Sequence, residues 1–170
     1  MKIVVLKFGG TSVGTIEKIK KVTDIIIEHK KKKNKGIVVS SAMSGVTNDL
    51  IKKSKQISNN FIDSEYDVLV SSGEQVACSL IAGRLNHKGF KSRSWLGWQI
   101  PIFTNGPYTN SRIQQVNKNK LLRFLKEGGI PIITGFQGVN LNERVTTIGR
   151  GGSDASAIMI AKSFKAQRCI

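Results

Sequence analysis

The sequence predicts an α/β fold built on a mostly parallel β-sheet. Residues 2–8, 37–41 and 130–134 are nearly continuous apolar runs, which are typical of strands that are covered on both faces. Helical periodicity in the segments between them favours parallel strands joined by helices. With 170 residues, the chain is long enough for one domain with a substantial core.

The first part of the chain is predicted to alternate between strand and helix. The strand at residues 2–8 leads into a helix whose apolar stripe runs from Ile16 to Ile27. We expect Gly36 to end this helix, because glycine is the preferred residue after a helix C-terminus. The strand at residues 37–41 is followed by a polar loop and by a second helix at about residues 48–58.

The rest of the chain is predicted to continue this pattern. The apolar run before Ser71 places Glu74 at a strand-to-helix turn, and the helix continues to about Leu85. The remaining elements are a strand near 91–97, a turn-rich stretch at 101–111, a helix at 117–127, a strand at 130–134, a hairpin at 139–147 and a last helix opened by 149–154. The final residues, Arg168 to Ile170, are typical of the beginning of another strand.

The chain is strongly basic, with 27 Lys and Arg residues against 11 Asp and Glu residues and a formal net charge of +16. Nucleic-acid binders share such a balance. The densest lysine run, however, lies within residues 29–36 at the predicted end of a helix, where cations complement the negative helix terminus. Few aromatic residues are interleaved with the lysines, and no nucleic-acid motif occurs. We therefore expect no nucleic-acid partner.

Hydropathy and cysteine content predict a cytoplasmic protein. No apolar run approaches the roughly 20 residues that a membrane span requires, so we expect no membrane partner. The apolar start of the chain is too short for a signal peptide. Cys78 and Cys169 form neither a disulfide framework nor a zinc motif, and we expect both thiols to stay reduced.

Three glycine- or serine-rich loops predict a site for an anion. They occupy residues 7–14, 40–47 and 149–154, and each follows a predicted strand and precedes a predicted helix. The carboxyl ends of parallel strands share one edge of a sheet, where ligands bind. Backbone N–H groups and the positive ends of helices would face that edge. Together with Lys7 and Arg150, the loops predict a cradle for a polyanion.

Other glycine-loop chemistries fit the spacing less well. The chain contains no G-x-x-x-x-G-K-[ST] string, and its early glycines do not have the G-x-G-x-x-G spacing of a dinucleotide site. Gly10 to Gly14 spells the G-x-S-x-G motif of a hydrolase, but Ser12 would need a histidine base. The chain has two histidines, His29 and His87, and both are expected on the surface at helix ends. A hydrolase is therefore disfavoured.

The acidic residues near these loops allow two interpretations. Glu74 and Asp154 are expected in the first turns of helices, where a carboxylate stabilises the helix by about 0.3–1 kcal/mol. Ser153 or Asp154 also suits an N-cap position. Ligand binding is compatible with either arrangement, and Gly151-Gly152 is more than a cap requires.

Five motifs, taken in order along the chain, resemble those of the aspartokinases of the amino acid kinase family. They are Lys-Phe-Gly-Gly-Thr-Ser-Val at 7–13, Val-Val-Ser-Ser-Ala-Met-Ser-Gly-Val-Thr-Asn at 38–48, Ser-Ser-Gly-Glu at 71–74, Gly-Phe-Gln-Gly at 135–138 and Gly-Arg-Gly-Gly-Ser-Asp at 149–154. The resemblance implies a three-layer αβα sandwich with a mostly parallel sheet. It also implies transfer of the γ-phosphoryl group of ATP to the side-chain carboxylate of L-aspartate, the first step toward lysine, threonine, methionine and diaminopimelate.

The resemblance further implies roles for individual residues. Lys7 would stabilise charge on the transferring phosphoryl group, and Asp154 would orient Lys7. Glu74 would hold the ammonium group of aspartate, and Arg150 would hold its α-carboxylate. The residues implied to contact nucleotide phosphates are Lys7, Phe8, Gly9, Gly10 and Ser41. The residues implied to contact the substrate are Thr47, Glu74, Phe136, Arg150, Gly151, Gly152 and Ser153. Mg²⁺ would be held mainly through the phosphates of ATP, with no metal ligand from the protein.

The resemblance finally implies that residues 1–170 are the N-terminal, aspartate- and phosphate-binding portion of an amino acid kinase domain. Family members continue from the Arg168-Cys169 position into a segment that binds adenine and ribose, and then into ACT domains. We therefore expect this chain to have little or no activity alone. The expected partners are a second copy of the chain or a separately encoded C-terminal half. The alternative is a non-catalytic remnant or subunit that binds aspartate or anions.

Overall fold

A computed structural model describes residues 2–32, 35–149 and 151–170. The strands are β1 (Ile3–Phe8), β2 (Lys35–Ser40), β3 (Ser92–Trp95), β4 (Ile102–Asn105), β5 (Arg112–Val116), β6 (Ile130–Thr134), β7 (Gln137–Val139), β8 (Val145–Thr147) and β9 (Arg168–Cys169). The helices are α1 (Ile16–Lys31), α2 (Val46–Ile57), α3 (Asp63–His87), α4 (Asn119–Lys126) and α5 (Gly152–Ser163).

The main sheet has five strands in the order β3-β6-β2-β1-β9, and all of its strand pairs are parallel. Alternate residues of the central strands enter two separate cores, as the period of a strand requires. Val4 and Leu6 pack with α1 and α3, whereas Ile3 and Val5 pack with α4 and α5. The sheet is thus covered by helices on both faces, and the predicted α/β fold with a mostly parallel sheet is confirmed.

A second sheet of four strands, in the order β5-β4-β7-β8, extends the molecule beyond the layered core. It consists of two antiparallel hairpins joined by a parallel contact between Phe103 and Val139. The hairpin predicted at residues 139–147 is confirmed, with Asn140 accepting hydrogen bonds from its own turn. The stretch predicted as turns at 101–111 instead contains β4, and β5 follows it. Both strands are short and only partly buried, so they lack the apolar alternation that identifies a strand.

The end of α1 differs from the prediction. The helix ends at Lys31, and the backbone N–H of Lys32 donates to the carbonyl of Glu28. Gly36 is not its C-terminal cap, because it is the second residue of β2 and pairs with Val4 of β1. Residues 33 and 34 of the lysine-rich run lie outside the described residues.

The start of α3 also differs, and this changes the setting of Glu74. One continuous helix of 25 residues runs from Asp63 to His87, so no strand precedes Glu74. The run Val68-Leu69-Val70 has the composition of a strand, but its residues occupy different faces of the helix: Val70 is buried and Val68 is exposed. Glu74 therefore lies in the middle of α3, and the interpretation of Glu74 as a first-turn helix acid is wrong.

The two cysteines occupy contrasting positions. Cys78 is fully buried in the core between α3 and the sheet, whereas Cys169 is exposed on β9. Burial raises the pKa of the Cys78 thiol, and so does the neighbouring carboxyl of Glu74. Within the described ranges, no helix is both long and apolar enough to cross a lipid bilayer.

Candidate active site

A cavity of about 330 Å³ opens where β1 and β2 end. Segments that are distant in sequence meet here: the loops after β1 and β2, the starts of α2 and α5, the middle of α3 and Phe136. Its lining residues are Lys7, Gly10, Ser41, Ala42, Met43, Ser44, Gly45, Thr47, Asn48, Glu74, Phe136, Gly149, Gly151, Gly152, Ser153 and Asp154.

Most residues that the sequence singled out are brought together here. Exceptions are Gly9, which is not part of the lining, and Phe8, whose side chain packs toward α1 and lines a separate recess. Arg150 lies outside the described residues. The sequence interpretation assigned no role to Met43, Ser44, Gly45, Asn48 or Gly149. The signal that could have identified them is their position, in the loops after β2 and β8 or, for Asn48, in the first turn of α2.

The loops after β1 and β2 touch each other closely. A Cβ atom at Gly10 would lie 3.0 Å from the carbonyl oxygen of Ala42, and one at Gly9 would lie 3.2 Å from Nζ of Lys7. The absence of a side chain at Gly10 lets the two loops approach each other at the cavity, and its absence at Gly9 leaves room for the Lys7 ammonium. Ser12 is exposed and does not line the cavity, nor do the exposed His87 and half-buried His29.

Lys7 and Asp154 form an ion pair at the cavity wall. Nζ of Lys7 lies 2.8 Å from Oδ1 of Asp154, and the Lys7 side chain is 24% exposed against 64% for Asp154. Because the carboxylate is largely solvated, the pair contributes little to stability. It does hold the lysine ammonium at a fixed point of the cavity, where it is available to an anionic ligand.

Two helices begin at the cavity without side-chain caps. The residues at their N-cap positions are Gly45 for α2 and Gly151 for α5, with φ angles of +86° and +74°. Glycine adopts this left-handed conformation without the steric cost that a Cβ atom imposes. Since no side chain at either N-cap accepts from the first-turn N–H groups, both positive helix ends are open to a ligand. This is the arrangement by which helix N-termini bind phosphate and carboxylate groups.

Glu74 is the buried acid of the cavity. Its side chain projects from α3, the residue is 4% exposed, and its Oε1 accepts a hydrogen bond of 3.1 Å from the backbone N–H of Ala42. Its Oε2 has no hydrogen-bond partner among the described residues. Burial raises the pKa of this carboxyl to about 7, although the Ala42 N–H opposes the shift. A cationic group brought by a ligand would favour the ionised form and would satisfy Oε2.

Phe136 lies at the wall of the cavity in an uncommon backbone conformation. Its φ angle is +67°, a region that residues other than glycine rarely adopt and that concentrates at functional sites. The backbone is held by the N–H of Phe136, which donates to Oγ of Ser156, and by its carbonyl, which accepts from the N–H of Ile148. A Cβ atom at Gly152 would lie 2.7 Å from the Phe136 ring, so the ring covers the start of α5.

A second buried carboxylate braces the loop that leads to α5. Asp67 of α3 is fully buried and accepts hydrogen bonds from the backbone N–H groups of Thr109 and Thr147 and, at 2.6 Å, from the hydroxyl of Thr147. Burial raises the pKa of Asp67 more than these hydrogen bonds lower it. Asp67 and Glu74 lie about two turns apart on the same helix. Helix α3 therefore connects the buried acid of the cavity with the end of β8.

The donor set offers little to a protein-bound metal ion. Among the described residues, no group of three or more His, Cys, Asp or Glu side chains is placed to hold one. The two carboxylates that line the cavity are Glu74, which is buried, and Asp154, which is paired with Lys7. The cavity instead presents a cation and helix N-termini, which suit the phosphate groups of a ligand.

The main sheet is parallel and covered by helices, and the cavity lies at the carboxyl ends of its strands, where α/β proteins of this class bind their ligands. The model of the amino acid kinase family matches residues 2–170, and the chain belongs to that family.

Similar proteins include an aspartokinase of Geobacillus stearothermophilus, 46% identical over 169 residues, and one of Rickettsia conorii, 45% identical over 172 residues. Each match covers 99% of this chain but 42% and 43% of the relatives, so the chain spans about two fifths of their length.

Solved structures of aspartate kinases share the fold. The aspartate kinase of Synechocystis is 37% identical, with a TM-score of 0.83 over 98% of this chain and 27% of that protein. Aspartokinase III of E. coli in complex with aspartate and ADP is 24% identical, with a TM-score of 0.87 over 99% of this chain and 48% of that protein. The latter match concerns the fold alone.

Proposed function

We propose that this chain forms the amino acid- and phosphate-binding portion of an aspartokinase, which transfers the γ-phosphoryl group of ATP to the side-chain carboxylate of L-aspartate. The observation that carries the proposal is one cavity that combines the Lys7 ammonium, two uncapped helix N-termini and the buried carboxyl of Glu74, one oxygen of which has no partner among the described residues. The similarity to aspartokinases at 46% and 45% identity supports the choice of substrate.

In this proposal the cavity acts by positioning and by neutralising charge, which are the main demands of phosphoryl transfer. Lys7, held by Asp154, stabilises the charge that spreads over the transferring group. The backbone of Gly9 and Gly10 and the hydroxyl of Ser41 contact phosphate oxygens. Mg²⁺ bound to the ATP phosphates supplies further charge neutralisation.

The substrate end of the cavity would recognise an amino acid that has a second carboxylate. Glu74 binds the ammonium group through Oε2, and Arg150 binds the α-carboxylate. Thr47, Gly151, Gly152 and Ser153 contact the substrate at the two helix N-termini, and the Phe136 ring packs beside it. The attacking carboxylate is ionised at neutral pH, so the reaction requires no general base.

The matched aspartokinases are more than twice as long as this chain, and this difference determines the activity that we expect. Because the chain spans about two fifths of their length, the adenine and ribose pocket is proposed to come from sequence that corresponds to the rest of the relatives. We propose that residues 1–170 alone bind aspartate and have little or no turnover. A second copy of the chain or a separately encoded remainder stays a predicted partner.

Calorimetry with L-aspartate and succinate tests the substrate site. Succinate lacks only the ammonium group, so aspartate is expected to bind at least about tenfold more tightly, which corresponds to about 1.4 kcal/mol. Glu74→Gln is expected to abolish this preference, whereas Glu28→Gln, on the exposed side of α1, should preserve it. Equal affinities for aspartate and succinate in the wild-type chain would refute the proposed role of Glu74.

A hydroxamate assay for aspartyl phosphate, with the Geobacillus stearothermophilus aspartokinase assayed in parallel, tests the catalytic part. Turnover far below that of the relative, together with aspartate binding, is the expected result. Turnover equal to that of the relative would contradict the expectation that the nucleotide site is incomplete.

A further inference from the structure

A second cavity, of about 560 Å³, lies between the edge strand β3, the turn that follows it and helix α4. It shares no lining residue with the candidate active site. Its volume falls in the range of roughly 300–1,000 Å³ that is typical of small-molecule sites. The proposed function leaves it without a role.

Aromatic side chains form much of its wall. Trp95 is 5% exposed, and its ring meets the ring of Phe124 edge to face at a centroid distance of 5.7 Å. Trp98, by contrast, is 51% exposed and leaves a large indole surface in contact with solvent. The indole N–H of Trp95 is buried and has no acceptor in the part of the chain that the structure describes. The wall thus offers an apolar face to a ligand.

Three cations border the same cavity: Arg93, Lys120 and Arg123. The Arg93 guanidinium lies 4.0 Å from the centroid of the Trp95 ring, which fixes its plane against the wall. Nζ of Lys120 donates to the carbonyl of Gln99 at 3.0 Å and ties α4 to the turn. Arg123 is exposed one helical turn further along the same face of α4.

The positive charge of this cavity is weakly opposed. Among its described lining residues the one acid is Glu127, and the Glu127 carboxylate lies 2.6 Å from Nζ of Lys91. This pairing leaves the three bordering cations available to a ligand. A ligand that fills the cavity must therefore bring negative charge as well as apolar surface.

We propose that this cavity binds a small anion that carries a flat aromatic ring. The ring packs on the exposed indole of Trp98, and a carboxylate or phosphate group pairs with Arg123 and Lys120. Stacking on an aromatic face and pairing with a guanidinium are complementary recognition modes for such a molecule. An uncharged ring would contact the indole but not the cations, and an anion without a ring would contact the cations but not the indole.

The chain provides a direct reporter, because Trp95 and Trp98 are its two tryptophans and both line this cavity. Each indole N–H gives its own signal in a ¹⁵N–¹H correlation spectrum. The chain is titrated with adenosine 5′-monophosphate and with benzoate, and with adenosine and inorganic phosphate as half-ligands. We expect saturable shifts of the indole signals with at least one ring-bearing anion, and at least about tenfold weaker effects with both half-ligands.

Variants separate this cavity from the candidate active site. Arg123→Gln is expected to weaken binding about tenfold, equivalent to about 1.4 kcal/mol. Lys126→Gln, in the same helix but outside the cavity lining, and Lys7→Gln, in the active-site cavity, are expected to leave it unchanged. Absence of indole shifts with both anions, equal effects of adenosine alone, or an equal response in Arg123→Gln would each overturn the proposal.

Discussion

At the scale of single residues, two buried carboxyl groups of α3 illustrate how surroundings decide chemistry. Asp67 is surrounded by donors, whereas Glu74 has, within the described ranges, one donor on Oε1 and no partner for Oε2. The difference suits their positions, since Asp67 faces a hairpin of the protein and Glu74 faces a cavity. The hydrogen bonds of Asp67 make it a structural brace, and we interpret the unpartnered oxygen of Glu74 as a position for a ligand.

The raised pKa of Glu74 predicts that this residue makes stability depend on pH. The folded chain holds a proton up to about pH 7, whereas the unfolded chain releases it near the ordinary pKa of 4.5. Stability from this group therefore falls as the pH rises from about 5 through 7, by about 3 kcal/mol in all. Urea unfolding at pH 5 and pH 8 should show this loss in the wild type and a smaller loss in Glu74→Gln. Identical pH dependence in the two proteins would contradict the assignment, and Glu28→Gln serves as the control.

We expect Asp67→Asn, which removes the charge of the side chain and keeps its shape, to destabilise the protein strongly. In Asp67→Asn an amide group replaces one acceptor oxygen and points N–H groups at the N–H donors of Thr109 and Thr147. We expect a loss of about 3 kcal/mol in the free energy of unfolding, measured with urea. Asp63→Asn changes an exposed acid in the first turn of the same helix and should cost less than about 1 kcal/mol. Losses of similar size would argue against a bracing role.

At the scale of elements, helix α3 connects the parts of the site. It presents Glu74 to the cavity, holds β8 through Asp67 and accepts from the side chain of Gln137 at the carbonyl of Ser71. Two of its residues are glycines, which generally weaken a helix. Their surroundings differ, and so should the reasons for their presence.

The two glycines of α3 predict opposite responses to alanine. A Cβ atom at Gly73 would lie 2.9 Å from Cβ of Ala42 and 3.1 Å from a methyl group of Val46, whereas one at Gly83 would meet nothing within 4 Å. Gly83→Ala should stabilise the protein by about 0.5–1 kcal/mol. Gly73→Ala should destabilise it by about 1–3 kcal/mol, because α2 and the loop after β2 must move away. Chemical denaturation measures both, and stabilisation by Gly73→Ala would contradict the packing described.

The elements also show which features the sequence could predict. Residues 3–8, 35–40 and 130–134 form buried parallel strands, and their continuous apolar runs predict this because both faces are covered. The start of α3 could not be predicted from composition, since Val68-Leu69-Val70 suits a strand until tertiary packing selects the helix. The left-handed φ of Phe136 has no local signal, because it depends on contacts with Ser156 and Ile148.

Part of the candidate site could also be predicted from the sequence, because its loops follow parallel strands. Loops at the ends of parallel strands must converge, so Lys7, Ser41 and Thr47 could be grouped from the sequence. The burial of Glu74 could not, because it depends on the whole of α3 lying against the sheet. The pairing of Asp67 with Thr147 joins residues 80 positions apart, and no spacing in the sequence announces it.

At the scale of the whole molecule, the net charge of +16 is the dominant electrostatic feature. The described ion pairs are mostly exposed and engage few of the cations. Such an excess of one sign destabilises the compact state through self-repulsion, and salt screens that repulsion.

This excess charge predicts that salt stabilises the fold. Raising NaCl from about 0.01 M to about 0.1 M shortens the screening length from about 30 Å to about 10 Å, which weakens repulsion across the surface. We expect the melting temperature to rise by about 2–4 °C, equivalent to about 1 kcal/mol for a domain of this size. Differential scanning fluorimetry measures the change. A melting temperature that falls with salt would indicate that attractive ion pairs outweigh the repulsion.

The two cysteines allow the rate at which α3 opens away from the sheet to be measured. Cys169 is exposed on the last strand, whereas Cys78 is fully buried one turn beyond Glu74. A thiol reagent therefore reaches Cys169 in the folded chain but reaches Cys78 only when α3 leaves the sheet. The delay between the two reactions therefore measures how often α3, the helix that carries the buried acid of the cavity, opens, and no label has to be introduced.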